Sequence, residues 1–175
     1  NWDTMSTWTQ PTLWDAPNSV GVDGGTLIDW NIVETSHNIN VGRDLTLLGL
    51  ISKTGELTMD GTTGADGTGT GNMLWITHYL KLNGSIDLVG ESQLLQKRYT
   101  PTQFSESIFD PTSSGYIERD QQGQKNSFNY NYWSSPVSPQ NGTTNNAPYA
   151  VGSILKDGTN SANPKPINFK DGAYI

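Results

Sequence analysis

The chain contains no cysteine. That absence excludes a disulfide scaffold, a cysteine-ligated zinc site and thiol redox chemistry. Basic charge is the second scarcity. Ten Lys and Arg stand against 17 Asp and Glu, giving a net charge of −7, and no Lys/Arg cluster occurs. Nucleic-acid binding needs a basic footprint, so it is not expected. No run of about 18 apolar residues is present, so no segment is expected to span a membrane. Histidine is limited to His37 and His78, too far apart in sequence to suggest a zinc pair or a Ser-His-Asp triad. Charged residues make up only 15%, unlike the dense Lys and Glu of helical bundles. No long window combines a 3.6-residue apolar period with helix caps.

What is present divides into three zones. Residues 1–36 hold Trp2, Trp8, Trp14 and Trp30. Residues 37–96 are apolar, with nine Leu, Ile, Val or Met among the 21 positions from Ile39 to Met59. Residues 97–175 are polar and rich in loop formers, with Val137 the only Leu, Ile or Val between Gln121 and Ala150.

The middle zone repeats. The pattern apolar-x-apolar-x-Gly occurs at Leu45 to Gly49, Leu57 to Gly61, Leu80 to Gly84 and Ile86 to Gly90. Apolar residues recur every six positions at Ile39, Leu45, Ile51 and Leu57, then at Leu74, Leu80 and Ile86. A shift of 35 residues places Leu45 on Leu80, Gly49 on Gly84, Ile51 on Ile86 and Gly55 on Gly90. Alternation followed by Gly specifies a short strand with one buried face and a tight turn. Units of ~22–25 residues with two or three such strands match one coil of a parallel solenoid. The expected fold is therefore all-β: a parallel β-helix (β-solenoid), followed by a polar, loop-rich C-terminal β region. An antiparallel β-sandwich is the alternative, with Asp60-Gly61 and Asn83-Gly84 as hairpin turns. In the solenoid, residues 1–36 would be a Trp-rich cap or degenerate coil, 37–96 the coils, and the Gly-rich run at 61–71 a flexible exposed loop. Residues 97–175 would be a loop-rich β module that reads as cut short.

Compartment follows from composition and from a resemblance. The chain begins at Asn1 without a signal-peptide pattern, as a mature product or an excised fragment does. An Asn-, Thr-, Ser- and Gly-rich, Lys-poor chain favours an extracellular setting. The stretches DWNIVETSHNIN (29–40), HYLKLNGSIDLVGESQLLQ (78–96), IERDQQG (117–123), YNYWSSP (130–136) and LKDGT (155–159) span most of the sequence. Together they resemble large surface proteins of flavobacteria and other Bacteroidota, a group that includes gliding-motility adhesins. The resemblance implies export by the type IX secretion system, with that machinery as a partner in transit. It also implies location outside the cell or on the outer membrane of a Gram-negative bacterium. It brings no catalytic residues. Proteins of that group continue into a C-terminal sorting domain, so the resemblance also implies that this chain is a fragment. Asp3-Thr4-Met5 is similar to their short O-glycosylation signal.

The candidate sites are few. Asp60 and Asp66, in the Gly-rich run, supply the hard oxygen ligands calcium takes, but their spacing matches neither the EF-hand nor the Gly-Gly-x-Gly-x-Asp repeat. Calcium is the one candidate cofactor. Trp2, Trp8 and Trp14 could stack on sugar rings, or cap the open end of a solenoid. Tyr130 and Tyr132 share one face of a predicted strand beside Trp133, forming a second aromatic cluster for glycans or for packing. Glu118 and Asp120 share a face with Arg119 opposite, which suits a salt-bridge or turn role better than acid–base catalysis. Lys81, Asp87 and Glu91 could form a charged stripe. The expected function is a non-catalytic structural or adhesive module. A carbohydrate-binding or carbohydrate-active β-helix is the alternative.

Overall fold

The computed structural model describes residues 1–9, 32–64, 67–98, 100–102, 105–123, 135, 148–160 and 163–167. The chain forms two compact units, residues 1–127 and 128–175.

In the first unit the strands are short and divide between two sheets. They are β1 (Ile32–Thr35), β2 (Ile39–Val41), β3 (Leu45–Ser52), β4 (Glu56–Met59), β5 (Met73–Leu82), β6 (Ser85–Leu88), β7 (Gln93–Gln96), β8 (Ile108–Phe109) and β9 (Tyr116–Arg119). One sheet runs β1-β3-β5-β7, with β8 also on β5, and the other runs β2-β4-β6-β9. Every strand pair in both sheets is parallel. The antiparallel sandwich is thereby overturned. Asp60-Gly61 and Asn83-Gly84 are not hairpin turns either. Strands β5 and β6, which flank Asn83-Gly84, lie in different sheets.

Parallel pairing in register sets like residues over like. Val33, Leu50, Leu80 and Phe109 make one inward column. Ile39, Leu57, Ile86 and Ile117 make a second. Val41, Met59 and Leu88 make a third, and Leu45, Leu74 and Leu94 a fourth. Residues from both sheets join in one core cluster that includes Trp2. The chain thus lays down four layers, 32–41, 45–59, 73–88 and 93–119, each with a segment in both sheets.

The 35-residue alignment is corrected by this register. Leu45 pairs with Leu74 and Leu57 with Ile86, a step of 29. Leu80 pairs with Leu50 rather than Leu45. The error has a physical origin. Apolar residues recur every six positions, so steps of 29 and 35 superpose equally apolar residues. Link length decides between them: residues 42–44 join the first layer to the second, while 60–72 join the second to the third.

Strands β3 and β5 each change their inward parity once. In β3 the inward residues are Leu45 and Leu47, then Leu50 and Ser52. In β5 they are Leu74 and Ile76, then Leu80 and Leu82, with Thr77 also buried. One extra residue of β5 sits between the pairs Leu47–Ile76 and Gly49–Tyr79, which is a β-bulge. The buried Thr77 hydroxyl is satisfied there by the Leu47 carbonyl (3.3 Å) and His78 Nδ1 (2.8 Å).

The corners stack as well as the strands. Lys53 N–H donates to the Thr35 carbonyl, Asn83 N–H to Ser52, and Ser114 N–H to Leu82. A glycine lies at each of three successive corners: Gly55, Gly84 and Gly115. A Cβ on Gly84 would collide with the Gly55 carbonyl, and one on Gly115 with the Gly84 carbonyl.

Most of the described residues of the Gly-rich run are exposed, as expected of a loop at 61–71. The run also folds back on the turn after β6. Thr62 and Thr70 form an antiparallel bridge. Glu91 N–H donates to the Thr70 carbonyl at 3.0 Å, and the Asn72 amide to the Asp60 carbonyl at 2.6 Å. A Cβ on Gly71 would strike the backbone of Glu91 and Ser92. Gly61, Gly64, Gly69 and Gly71 allow this close approach.

In the second unit, a short helix α1 (Val151–Ile154) precedes β10 (Lys156–Asp157), which pairs antiparallel with β11 (Lys165–Pro166). Asp157 accepts from Thr159 N–H (3.0 Å) and its hydroxyl (2.6 Å), which lowers the Asp157 pKa.

Candidate functional site

Strand alternation sends every second side chain of the β2-β4-β6-β9 sheet outward. Register then makes columns of these as well. Asn40, Thr58, Asp87 and Glu118 lie side by side on neighbouring strands, as do Glu56, Ser85 and Tyr116. Parallel strands lie ~4.8 Å apart, so Asp87 and Glu118 are immediate neighbours of like charge. The Ser85 hydroxyl donates to Glu56 at 3.1 Å. Asp120 closes the group, with its carboxylate accepting the Gly90 N–H at 3.1 Å.

This crowding is visible in protonation. Burial pushes Asp87 up to about 6, and the charges of Glu56, Asp120 and Glu118 add to the rise. Glu118 is raised by burial and then by Glu56 and Asp120. None of the groups acting on either carboxylate is a cation. The arrangement can therefore hold a proton at mildly acid pH. Among the described residues, no group of three or more His, Cys, Asp or Glu is placed to hold a metal ion.

No family model, curated protein or solved structure matches this chain.

The sequence-predicted residues distribute as follows. Trp2 is fully buried in the core, and its N–H donates to the Asn40 carbonyl at 2.8 Å. Trp8 is half-buried, meets Trp2 edge to face at 4.9 Å, and donates its indole N–H to the Trp2 carbonyl at 2.9 Å. Both faces of Trp2 are thus enclosed. Asp60 is half-buried, and its carboxylate meets the Asn40 amide at 3.4 Å. Its carbonyl already accepts from Asn72 and lies 3.1 Å from the Ser92 hydroxyl. Trp14, Asp66, Tyr130, Tyr132 and Trp133 lie outside the described residues.

The charged stripe of Lys81, Asp87 and Glu91 does not form. Lys81 is in β5, Asp87 in β6 of the other sheet, and Glu91 in the following turn. Arg119 continues the inward column beyond Leu88 and so faces away from Glu118. No ion pair joins it to either neighbouring acid among the described residues. The column of Asp87 with Glu118 was missed because it depends on register between layers. The shared parity of Glu118 and Asp120 was the one local signal.

Proposed function

We propose that the first unit is a β-solenoid and that the chain serves as a structural or adhesive module of a large secreted bacterial surface protein. The observation that carries this reading is the four-layer parallel register, in which strands divide between two sheets over continuous apolar columns. Such a stack extends by adding layers and holds its outward side chains in fixed rows, which suits display or a stalk. No helix among the described residues is long and apolar enough to cross a membrane, a fact that says nothing of a β-barrel. Export by the type IX system rests on the sequence resemblance alone. The test is antibody labelling of intact cells that carry the full-length protein. Labelling lost when type IX export is disabled supports the proposal, and labelling confined to permeabilised cells overturns it.

A second reading is favoured by one observation. Asp87 beside Glu118 is a pair of carboxyl groups both raised by burial and like charge, Asp87 to about 6, and a pair of carboxyl groups, one of them able to donate a proton, is the machinery of glycoside hydrolysis. Screening the purified chain on a glycan array and a polysaccharide panel separates the two readings. Binding or cleavage lost in Asp87→Asn supports the carbohydrate role, and a flat response supports the structural one.

A further inference from the structure

The stacked corners share a glycine, but the residue before it differs. Thr54 precedes Gly55, Asn83 precedes Gly84, and Ser114 precedes Gly115. Gly84 is imposed by the stack, since a Cβ there would collide with the Gly55 carbonyl and lie 2.6 Å from Ser52 Oγ. That requirement sets up a reaction that the hydroxyl side chains of the other two corners cannot undergo. In an Asn-Gly pair the glycine nitrogen can attack the asparagine side-chain carbonyl carbon, because no Cβ shields it. A new carbon–nitrogen bond forms, the bond to the side-chain nitrogen breaks, and ammonia leaves with the glycine's proton. Water then opens the cyclic imide at either carbonyl, leaving aspartate or isoaspartate.

We infer that Asn83-Gly84 is a self-modification site gated by the fold: held as the amide while the corner is stacked, and closing to the imide in the unfolded chain. The corner restrains both reacting groups. Gly84 N–H donates to the Ser52 carbonyl at 3.2 Å. Asn83 Oδ1 accepts from the Ser114 N–H at 3.3 Å and the Ser114 hydroxyl at 3.4 Å. The backbone is pinned on either side, with Asn83 N–H on the Ser52 carbonyl at 2.7 Å and Ser85 N–H on the Gly55 carbonyl at 2.9 Å. Asn83 itself is exposed, so these bonds, and not exclusion of water, hold it unreacted. Isoaspartate routes the main chain through the side-chain carbon and lengthens it by a methylene. Gly84 lies between the backbones of Gly55 and Gly115 with no space for a Cβ, so the stack has no place for that product. The inference rests on the corner's bonds and not on the adhesive role.

The test needs no variant. The folded chain and the chain unfolded in urea are incubated side by side in mildly alkaline buffer, with circular dichroism reporting the strands of the first. Peptide mapping follows Asn83 separately from Asn141-Gly142, the other Asn-Gly pair in the sequence. In urea, Asn83 is lost severalfold faster than in the folded chain, and isoaspartate accumulates at that position, identified against a synthetic peptide. Folded molecules keep the amide and carry no isoaspartate there. Equal loss of Asn83 in the two samples overturns the inference. Aspartate without isoaspartate in urea overturns it too, since direct hydrolysis would then have replaced the imide.

Discussion

The two sheets of the first unit share one inward logic and differ outward. Inside, both stack apolar residues in register. Outside, the β1-β3-β5 sheet presents Ile32, Ile51, Trp75 and Tyr79, and the β2-β4-β6-β9 sheet presents Glu56, Thr58, Asp87 and Glu118. The apolar-faced sheet is the one that carries the bulge, and the acidic one keeps strict register. Their carboxylates differ in the same sense. Asp110, at the corner after β8, accepts from the Tyr79 hydroxyl and from the Thr112 N–H and hydroxyl. The Thr112 hydroxyl, then Tyr79, hold it down to about 2, and the Tyr79 phenol is raised in return. Asp87 is raised to about 6, first by burial and then by the like charges of Glu56, Asp120 and Glu118. The inward columns fix the fold, and the outward rows are free to differ in chemistry.

The largest effect expected is on the shared interior. Leu80→Ala in one sheet and Ile86→Ala in the other each remove a fully buried side chain from the third layer. Each should cost about 3 kcal/mol in urea unfolding. A cost confined to one sheet's variant would break the claim of a common core. Next is the corner that joins the sheets. Gly84→Ala must push apart the Gly55 carbonyl and should cost about 2 kcal/mol.

The outward rows should respond to pH in opposite directions. Asp87 binds its proton more tightly when folded, so its contribution to stability falls as pH rises from about 4 to about 6. Asp110 has a lowered folded pKa, so its contribution is lost as pH drops through the range from about 4 to about 2. Asp87→Asn should flatten the upper slope. Because Asp87 is half exposed, the gain at pH 7 is set at about 1 kcal/mol or less, after solvent screening. Denaturation midpoints from pH 4 to 7 check this, and an unchanged slope in Asp87→Asn contradicts it. The smallest effect belongs to the Lys53–Glu34 pair, 2.6 Å apart with both side chains more than half exposed. Lys53→Ala should change stability by less than about 0.5 kcal/mol.

Much of this was legible in the chain. Alternation followed by glycine announced short strands, and the six-residue recurrence at Leu45, Ile51 and Leu57 announced repetition. Register was not legible, because a step of six restores the apolar pattern and leaves 29 and 35 equivalent by composition. The role of Gly61, Gly69 and Gly71 was hidden for a related reason. Glycines that allow close approach to the backbone or side chains of residues 89–92 read in sequence like those of a free loop. Trp2 read as a cap more readily than as a ligand platform, and only burial distinguishes the two. The acidic column was illegible until Asp87 and Glu118, 31 positions apart, were placed on adjacent strands.

Register is therefore the claim on which the core and the acidic column both depend. It can be measured with engineered cysteine pairs, free of background because the chain has none. Thr58 and Asp87 face outward on adjacent strands in register, at a spacing a disulfide can bridge. Ser52 and Asp87 are the pair that a 35-residue step would bring together. Under mild oxidation, Thr58→Cys/Asp87→Cys should close an intramolecular disulfide and Ser52→Cys/Asp87→Cys should not. Closure of the second pair in place of the first would contradict the account.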